Sequence, residues 1–447
     1  MSTEINIIQF GTGNFLRAFF EPLVAQLNHK NKWNAKICMV QSTGTEKIDS
    51  LKANSFQYPV WTVGKLGLDI INSEEKIDVI KDGIALARDK NSLIDYSKSK
   101  ALQWIVSNVT EAGFVLGEED ELPTFPKSFP ARITLMLWER FSFFQGEAKS
   151  GVQILPFELI ENNGEKLRLM VIEQAKKWNL SSDFFKWLDA NCIFYNSLVD
   201  RIVPGEPSEI TLNNFHTTKL AHPFRVQTEP YFFLAIEKNK NQSLEVPFLD
   251  ADFPVLLVDN ISPYGLRKVR ILNGAHTAMV AIGMTKGIQT VGEFMDNKLA
   301  FRWLSEMMHE EVIPLLPLAK DELILYTEEI WDRFRNPFVE HRLSDISLNS
   351  MAKLYERILK SIEDYYAKNQ KLPSKLVEVF SSMIKYYLEK PKEIRDTDKV
   401  KAIFSIARSL ADKEKQSHFI LSQKELWQRD LNEIKGFTSK LSSYLDE

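Results

Sequence analysis

Glu4-Ile-Asn-Ile-Ile-Gln-Phe10-Gly-Thr-Gly-Asn-Phe-Leu-Arg17 is the stretch that decides the fold. A short β-branched and aromatic run ends in a Gly-x-Gly turn, and a helical pattern follows at once and continues through Leu27. Strand, tight turn and helix form the opening βα unit of a dinucleotide-binding fold, where small residues let the backbone approach a pyrophosphate and the helix N-terminus faces it. The third glycine of the usual fingerprint is absent, and Leu16 stands in its place. A plain tight turn is the competing reading. The setting of a strand before and a helix after favours the nucleotide, with Phe10, Gly11, Gly13, Asn14, Phe15, Leu16 and Arg17 as candidate cofactor-binding residues.

Working outward, Ala35-Lys-Ile-Cys-Met-Val40 reads as the next parallel strand. An Asp or Glu usually follows such a strand to hold the ribose 2′-hydroxyl, but this chain has Gln41-Ser-Thr-Gly44. Gln41 can donate to or accept from a 2′-hydroxyl, and no arginine stands beside it for a 2′-phosphate. The expectation is therefore NAD rather than NADP. Ala101–Val106 is a third strand, and Ser107, Asn108 and Thr110 after it lie where parallel sheets bind ligands, unless they only cap a turn. Val152–Pro156 and Val255–Val258 read as further strands, Cys192–Val199 is an apolar run, and a helix is expected from about Ala131 to Phe144. Asp200-Arg201 closes one apolar run, and short β-like runs lie between Gly205 and Pro247.

Beyond Lys268 strand signals almost vanish. Helical patterns cover 266–285, 291–312, 320–334, 349–368, 373–390, 396–411 and 422–445. The expected architecture is α/β: an N-terminal Rossmann-like dinucleotide-binding domain over 1–262, followed by a mostly α-helical substrate and catalytic domain over 263–447. The length of 447 residues exceeds one ordinary core and accommodates both. A net charge of -4 offers no electrostatic case for nucleic acid, and no apolar run approaches the ~20 residues of a membrane span. Met1-Ser-Thr-Glu lacks a basic leader region, so a cytoplasmic location is expected. Two cysteines, Cys38 and Cys192, read as buried reduced thiols, and no Cys or His spacing marks a metal site. A monomer or small homo-oligomer is expected.

Arg267-Lys-Val-Arg-Ile-Leu-Asn-Gly-Ala-His276 opens the helical half and sets Lys268, Asn273 and His276 inside an apolar run. At about 100° per residue, Asn273 lies about 140° and His276 about 80° from Lys268, so all three share one face. Burying a lysine is costly unless something uses or pairs it.

These residues carry a resemblance. Lys268-x4-Asn273-x2-His276 is similar to the signature of the mannitol dehydrogenase family, the polyol-specific long-chain dehydrogenases. Phe10–Arg17, Val199-Asp-Arg-Ile202, Thr228-Glu-Pro230 and Arg333-Phe-x-Asn-Pro337 support it in the same order. Mannitol-type members carry an asparagine in the turn at Glu158-Leu159 that helps polarise the reacting oxygen; Leu159 replaces it here, which favours the sugar-acid branch. The resemblance implies hydride transfer between a nicotinamide and a secondary carbinol or ketone, with a sugar acid as substrate and no metal. Lys268 would move the proton, Asn273 steady the oxygen and His276 orient the substrate. Asp200 and Lys353 match substrate-contacting positions. Lys353, Arg335 and Arg201 are the candidate cations for a substrate carboxylate. A nucleotide sensor that has lost its chemistry is the competing class, against which the intact triplet stands.

Overall fold

The computed structural model describes residues 4–67, 69–205, 222, 224–239, 246–339 and 341–446. Met1–Thr3, and positions 206–221 and 240–245 of the β-like stretch, lie outside the described residues. The chain divides into two compact units, Met1–Gly64 with Ile70–Ser262, and Lys65–Asp69 with Pro263–Glu447. The five-residue tip Lys65–Asp69, expected within the first domain, thus groups with the second, where the Gly67 N–H donates to Asp332 Oδ2 at 3.1 Å.

In chain order, the first half of unit 1 holds β1 (Ile7–Phe10), α1 (Asn14–His29), β2 (Ile37–Gln41), α2 (Glu46–Ala53), β3 (Tyr58–Leu66), β4 (Asp69–Ile77), β5 (Ile80–Ala85), α3 (Asn91–Ser97) and β6 (Trp104–Ser107). Then come α4 (Phe129–Phe143), β7 (Gln153–Pro156), α5 (Asn163–Lys177), α6 (Ser182–Asn191), β8 (Ile193–Phe194), β9 (Ser197–Asp200), β10 (Val226–Thr228), β11 (Phe233–Glu237) and β12 (Val255–Val258). Six strands form one sheet in the order β5-β2-β1-β6-β7-β8, and every neighbouring pair is parallel.

A parallel sheet is covered on both faces, which is why its strands read as near-continuous apolar runs. Successive side chains alternate between the faces. Ile7, Ile37 and Met39 join Phe19, Phe20, Leu23 and Val24 of α1 in one core, while Ile8, Phe10, Cys38 and Val40 join Ile133, Met136 and Leu137 of α4 in the other. Chain order runs outward from β1 to β2 on one side and to β6 on the other. The crevice at the carboxyl ends of β1 and β6 is therefore the topological switch point, where such sheets take their ligands. There Phe10 stands opposite Ser107, and the Asn108 N–H donates to the Phe10 carbonyl at 3.0 Å.

Three strands escape the sequence pattern. β3 pairs with β10 and β4 in a second sheet, and β5 extends the main one. Asp69–Ile77 is exposed along most of its length, so no buried face imposes an alternation. β9, β11 and β12 form a third sheet.

From Pro263 onward the described residues of unit 2 are helical, with one isolated bridge among them, between Thr290 and Arg342. Three runs expected as continuous α-helix each contain a π-helical segment: Lys268–Asn273, Met308–Val312 and Tyr355–Leu359. The first packs against the other two. A π turn gives up regular i→i+4 bonding, and such turns occur frequently at functional sites.

Candidate active site

The turn after β1 has room only for glycine at its first position. Gly11 holds φ at +122°, and a Cβ there would stand 3.1 Å from the Asn108 carbonyl oxygen and 3.3 Å from Leu16. Gly13 faces open space, with nothing within 4 Å of where its Cβ would be, and no side chain caps the N-terminus of α1. Uncapped N–H groups beside a glycine with nothing in front of it suit a pyrophosphate. The turn is braced from beneath: Gln9 Nε2 donates to the Gly11 carbonyl at 3.0 Å and to Glu21 at 2.8 Å, and Tyr58 donates to the other oxygen of Glu21. Phe10 and Leu16 are buried in the core, and Phe15 stacks on Phe19. The Arg17 guanidinium is buried as well, donating to Asn14 Oδ1 at 2.5 Å and to the Phe224 carbonyl at 2.7 Å across the Tyr58 ring.

At the end of β2 both ends of the Gln41 amide are spent on its own loop. Nε2 donates to the Thr43 carbonyl at 2.7 Å, and Oε1 accepts from the Ile48 N–H at 3.0 Å. The nearby acid that the sequence spacing conceals is Glu46, whose Oε2 accepts the Thr45 N–H at 3.0 Å. This folds its carboxylate back over Gly44, where φ is +68° and a Cβ would collide with it.

At the end of β6, Ser107 Oγ donates to Glu158 Oε2 at 3.1 Å, the Val109 N–H donates to Glu158 Oε1 at 2.9 Å, and Asn108 Nδ2 donates to the Phe157 carbonyl at 2.9 Å. Thr110 is exposed and caps its own turn, its Oγ1 accepting from Gly113. Glu158 thus ties the ends of β6 and β7 together from inside the core. Burial pushes its carboxyl up to about 7, against the two hydrogen bonds that favour the charged form. A carboxyl raised in the folded state contributes stability that is fully present below its unfolded pKa and lost as pH climbs through the folded value. Between about pH 4.5 and 7 the protein should therefore lose up to about 3 kcal/mol from this group. Thermal melts from acid to mildly alkaline pH should show Glu158→Gln flattening that slope, and an unchanged slope would count against the carboxyl as its source.

Leu159 is 66% exposed, so nothing at that position takes over the missing amide. Asn163, close by, is buried and donates to the carbonyls of Pro156, Glu158 and Ser197. Asp200 is buried at the end of β9, opposite Phe233. Arg201 is buried too: Nε donates to the Glu229 carbonyl at 3.1 Å, Nη1 to the Ala18 carbonyl at 2.6 Å, and the guanidinium lies over the rings of Phe232 and Phe253.

In unit 2 the π segment rearranges the expected triplet. On an α-helix Lys268 and Asn273 sit about 140° apart. With i→i+5 bonding, seen in the Gly274 N–H reaching back to the Val269 carbonyl, residues five apart stack one above the other. Lys268 and Asn273 thereby come to the same side, both half-buried. Among the described residues nothing hydrogen-bonds the Asn273 side-chain amide, while its backbone carbonyl accepts from Thr277 Oγ1 at 3.1 Å. His276 packs its ring 4.5 Å from Phe334 and 4.8 Å, edge on, from His341. Arg335 lies 4.3 Å over the Phe301 ring. Lys353 Nζ donates to the Ile346 carbonyl at 2.6 Å, and its ammonium is held below the ordinary lysine range by burial and then by Arg357.

Family models for the mannitol dehydrogenase Rossmann domain and C-terminal domain match residues 5–248 and 260–447. The chain belongs to the mannitol dehydrogenase family. It is accordingly an oxidoreductase acting on CH–OH groups. This family member is 35% identical to the altronate oxidoreductase of Bacillus subtilis over 98% of its own length and 92% of that protein's. It is 31% identical to the altronate oxidoreductase of Phocaeicola vulgatus, over 98% and 93%. Among solved structures, a D-sorbitol dehydrogenase superposes with a TM-score of 0.81 at 18% identity, covering 99% of this chain and 92% of that one. The Pseudomonas fluorescens mannitol 2-dehydrogenase in ternary complex with NAD and D-mannitol gives 0.72 at 20%, covering 100% and 92%. These likenesses bear out the Rossmann-like first domain and the helical second.

Three residues of interest go unnoticed in the sequence: Glu46, Glu158 and Arg357. Glu46 stands five residues past its strand, so only the folded loop reveals where its carboxylate goes. Glu158 sits in a turn that reads as polar. Arg357 has one local sign, a like charge four residues after Lys353 on a helical run, a spacing that ordinarily destabilises.

Proposed function

We propose that the protein is an NAD-dependent oxidoreductase that reversibly reduces the keto group of D-tagaturonate to D-altronate, a step in hexuronate breakdown, without a metal. The reading rests on the relatives named altronate oxidoreductase and, within the chain, on one observation: the π turn draws Lys268 and the unengaged amide of Asn273 to the same side. NADH supplies the hydride. Gly11, Gly13 and the first turn of α1 hold the cofactor's pyrophosphate. Lys268 donates a proton to the ketone oxygen in reduction and withdraws it in oxidation. Asn273 donates from its side-chain amide to the oxygen as negative charge develops, and His276, steadied between Phe334 and His341, orients a substrate hydroxyl.

NAD is favoured over NADP because the Glu46 carboxylate beside Gly44 suits a ribose 2′-hydroxyl and repels a 2′-phosphate. Titrations of NADH and NADPH fluorescence should show Glu46→Gln lowering the preference for NADH about tenfold. An unchanged ratio would remove Glu46 from that role.

The substrate is tested by following NADH loss with D-tagaturonate, D-fructuronate and D-fructose. Fastest turnover of tagaturonate is expected. Fructuronate ahead of it would reassign the enzyme to the mannonate-forming reaction, and fructose ahead of both keto-uronates would sink the sugar-acid reading.

A further inference from the structure

Unit 2 contains two half-buried cations side by side, and among the described residues no acid forms an ion pair with either. Lys353 and Arg357 are four residues apart on the run from Ser350 to Leu359, and both are held below their ordinary basicity, each chiefly by burial and the lysine also by its neighbour. Two other arginines of this unit that are drawn inward have an acid in contact: Arg267 lies 3.0 Å from Glu322 and Arg270 2.9 Å from Asp364. Among the described residues Arg357 has none. Its Nη1 reaches only the Asn273 carbonyl at 3.5 Å and the Thr277 hydroxyl at 3.4 Å, both long for hydrogen bonds. Asp396, the acid nearest to Lys353 in effect, is engaged elsewhere, accepting from the Tyr387 hydroxyl at 2.8 Å and from the N–H groups of Met351 and Thr397.

Holding two like charges together away from water is costly unless an anion joins them. Of the two, Arg357 reaches the turn that carries Asn273 and the hydroxyl of Thr277, one residue beyond His276. A planar guanidinium with most of its donors uncommitted is built for two-pronged binding of a carboxylate. Arg201 lies in unit 1 with two of its nitrogens given to backbone carbonyls, and the Arg335 guanidinium lies over the Phe301 ring.

We propose that Arg357, with Lys353 beside it, binds the carboxylate of the sugar acid and so selects acids over neutral ketoses. The inference rests on the sugar-acid reading above. It adds a residue outside the Lys-Asn-His signature and gives the lysine a partner.

D-Tagaturonate and D-tagatose differ only in carrying a carboxylate or a CH₂OH at the far end, so their ratio of kcat/KM isolates the contact. Arg357→Gln should lower that ratio about 30-fold, with the loss in KM for the acid, and Arg357→Lys should recover part of it. Lys353→Gln should lower it less. Independently of turnover, D-altronate should quench or shift NADH fluorescence in the wild-type complex, and Arg357→Gln should require about 30-fold more altronate for the same change. A wild-type enzyme without preference for the acid would overturn the substrate reading and this inference with it. A wild type that prefers the acid, beside Arg357→Gln and Arg357→Lys variants that keep the preference or lose both substrates equally, would overturn the role of Arg357 alone and leave it a brace for the Asn273 turn.

Discussion

Lys268→Ala should lower kcat by about a thousandfold while leaving NADH affinity near normal. A hydride cannot add to a ketone carbon without leaving charge on the oxygen, and that charge must meet a proton donor within hydrogen-bond reach. Lys268 opens the π segment and is half-buried, so it can approach a substrate oxygen while its backbone is locked in the helical run. Single-turnover measurements under saturating NADH would separate chemistry from binding. A small primary amine added to the alanine variant should restore part of the rate, because it returns the missing proton carrier to the cavity left by the side chain. Near-normal kcat in the variant would remove the lysine from the reaction.

Asn273→Ala should cost a factor of about 10²–10³ in kcat, the usual loss when a preorganised amide donor to a developing oxyanion is removed. Its stability cost should be small, within about 0.5 kcal/mol, since no described residue hydrogen-bonds the side-chain amide and alanine is the better helix former. The pair of measurements is decisive. A large loss of rate with an unmoved melting temperature marks an amide kept for the substrate, whereas a fall in melting temperature with modest loss of rate would make Asn273 a structural member of the π turn. The same logic separates it from Thr277, whose hydroxyl already bonds the Asn273 carbonyl and so acts on the backbone.

Much of the first unit can be read locally. Ile7–Phe10, Ile37–Gln41 and Trp104–Ser107 lie close to where apolar runs place them, because a strand buried on both faces has to be apolar throughout. The Gly11 position is legible for a related reason: a left-handed turn excludes other residues wherever it occurs. Leu16, in place of a third glycine, is accommodated by packing from α1 into the core, which no spacing rule foretells. The exposed strand β4 leaves no periodic trace, since solvent along most of its length imposes no alternation.

The candidate site divides along the same line. Lys268, Asn273 and His276 were recognisable as residue types at a spacing that places all three on one face of an α-helix, with the lysine and asparagine about 140° apart at its edges. The π turn that unites them is one extra residue in the helical ladder, stabilised by packing against the π segments at Met308–Val312 and Tyr355–Leu359. Arg17, Gln41 and Arg201 look like ligand-binding side chains in sequence. In the folded units their polar atoms are met by Asn14 and Phe224, by Thr43 and Ile48, and by Ala18 and Glu229.

What the sequence by itself determined is the order of elements, the glycine turn and the identity of the reactive side chains, because hydrophobic period, φ restriction and functional-group chemistry are properties of residues and their near neighbours. Only the tertiary structure decided which of those side chains are already spent and which remain available. A donor's partner is set by whatever the fold brings to it, often from far along the chain, as with Arg17 and Phe224 or Arg357 and Asn273. Charge follows the same rule: Glu46 is one more surface acid until its loop closes, and Arg357 one more basic residue until burial leaves it beside Lys353 with no ion-paired acid among the described residues.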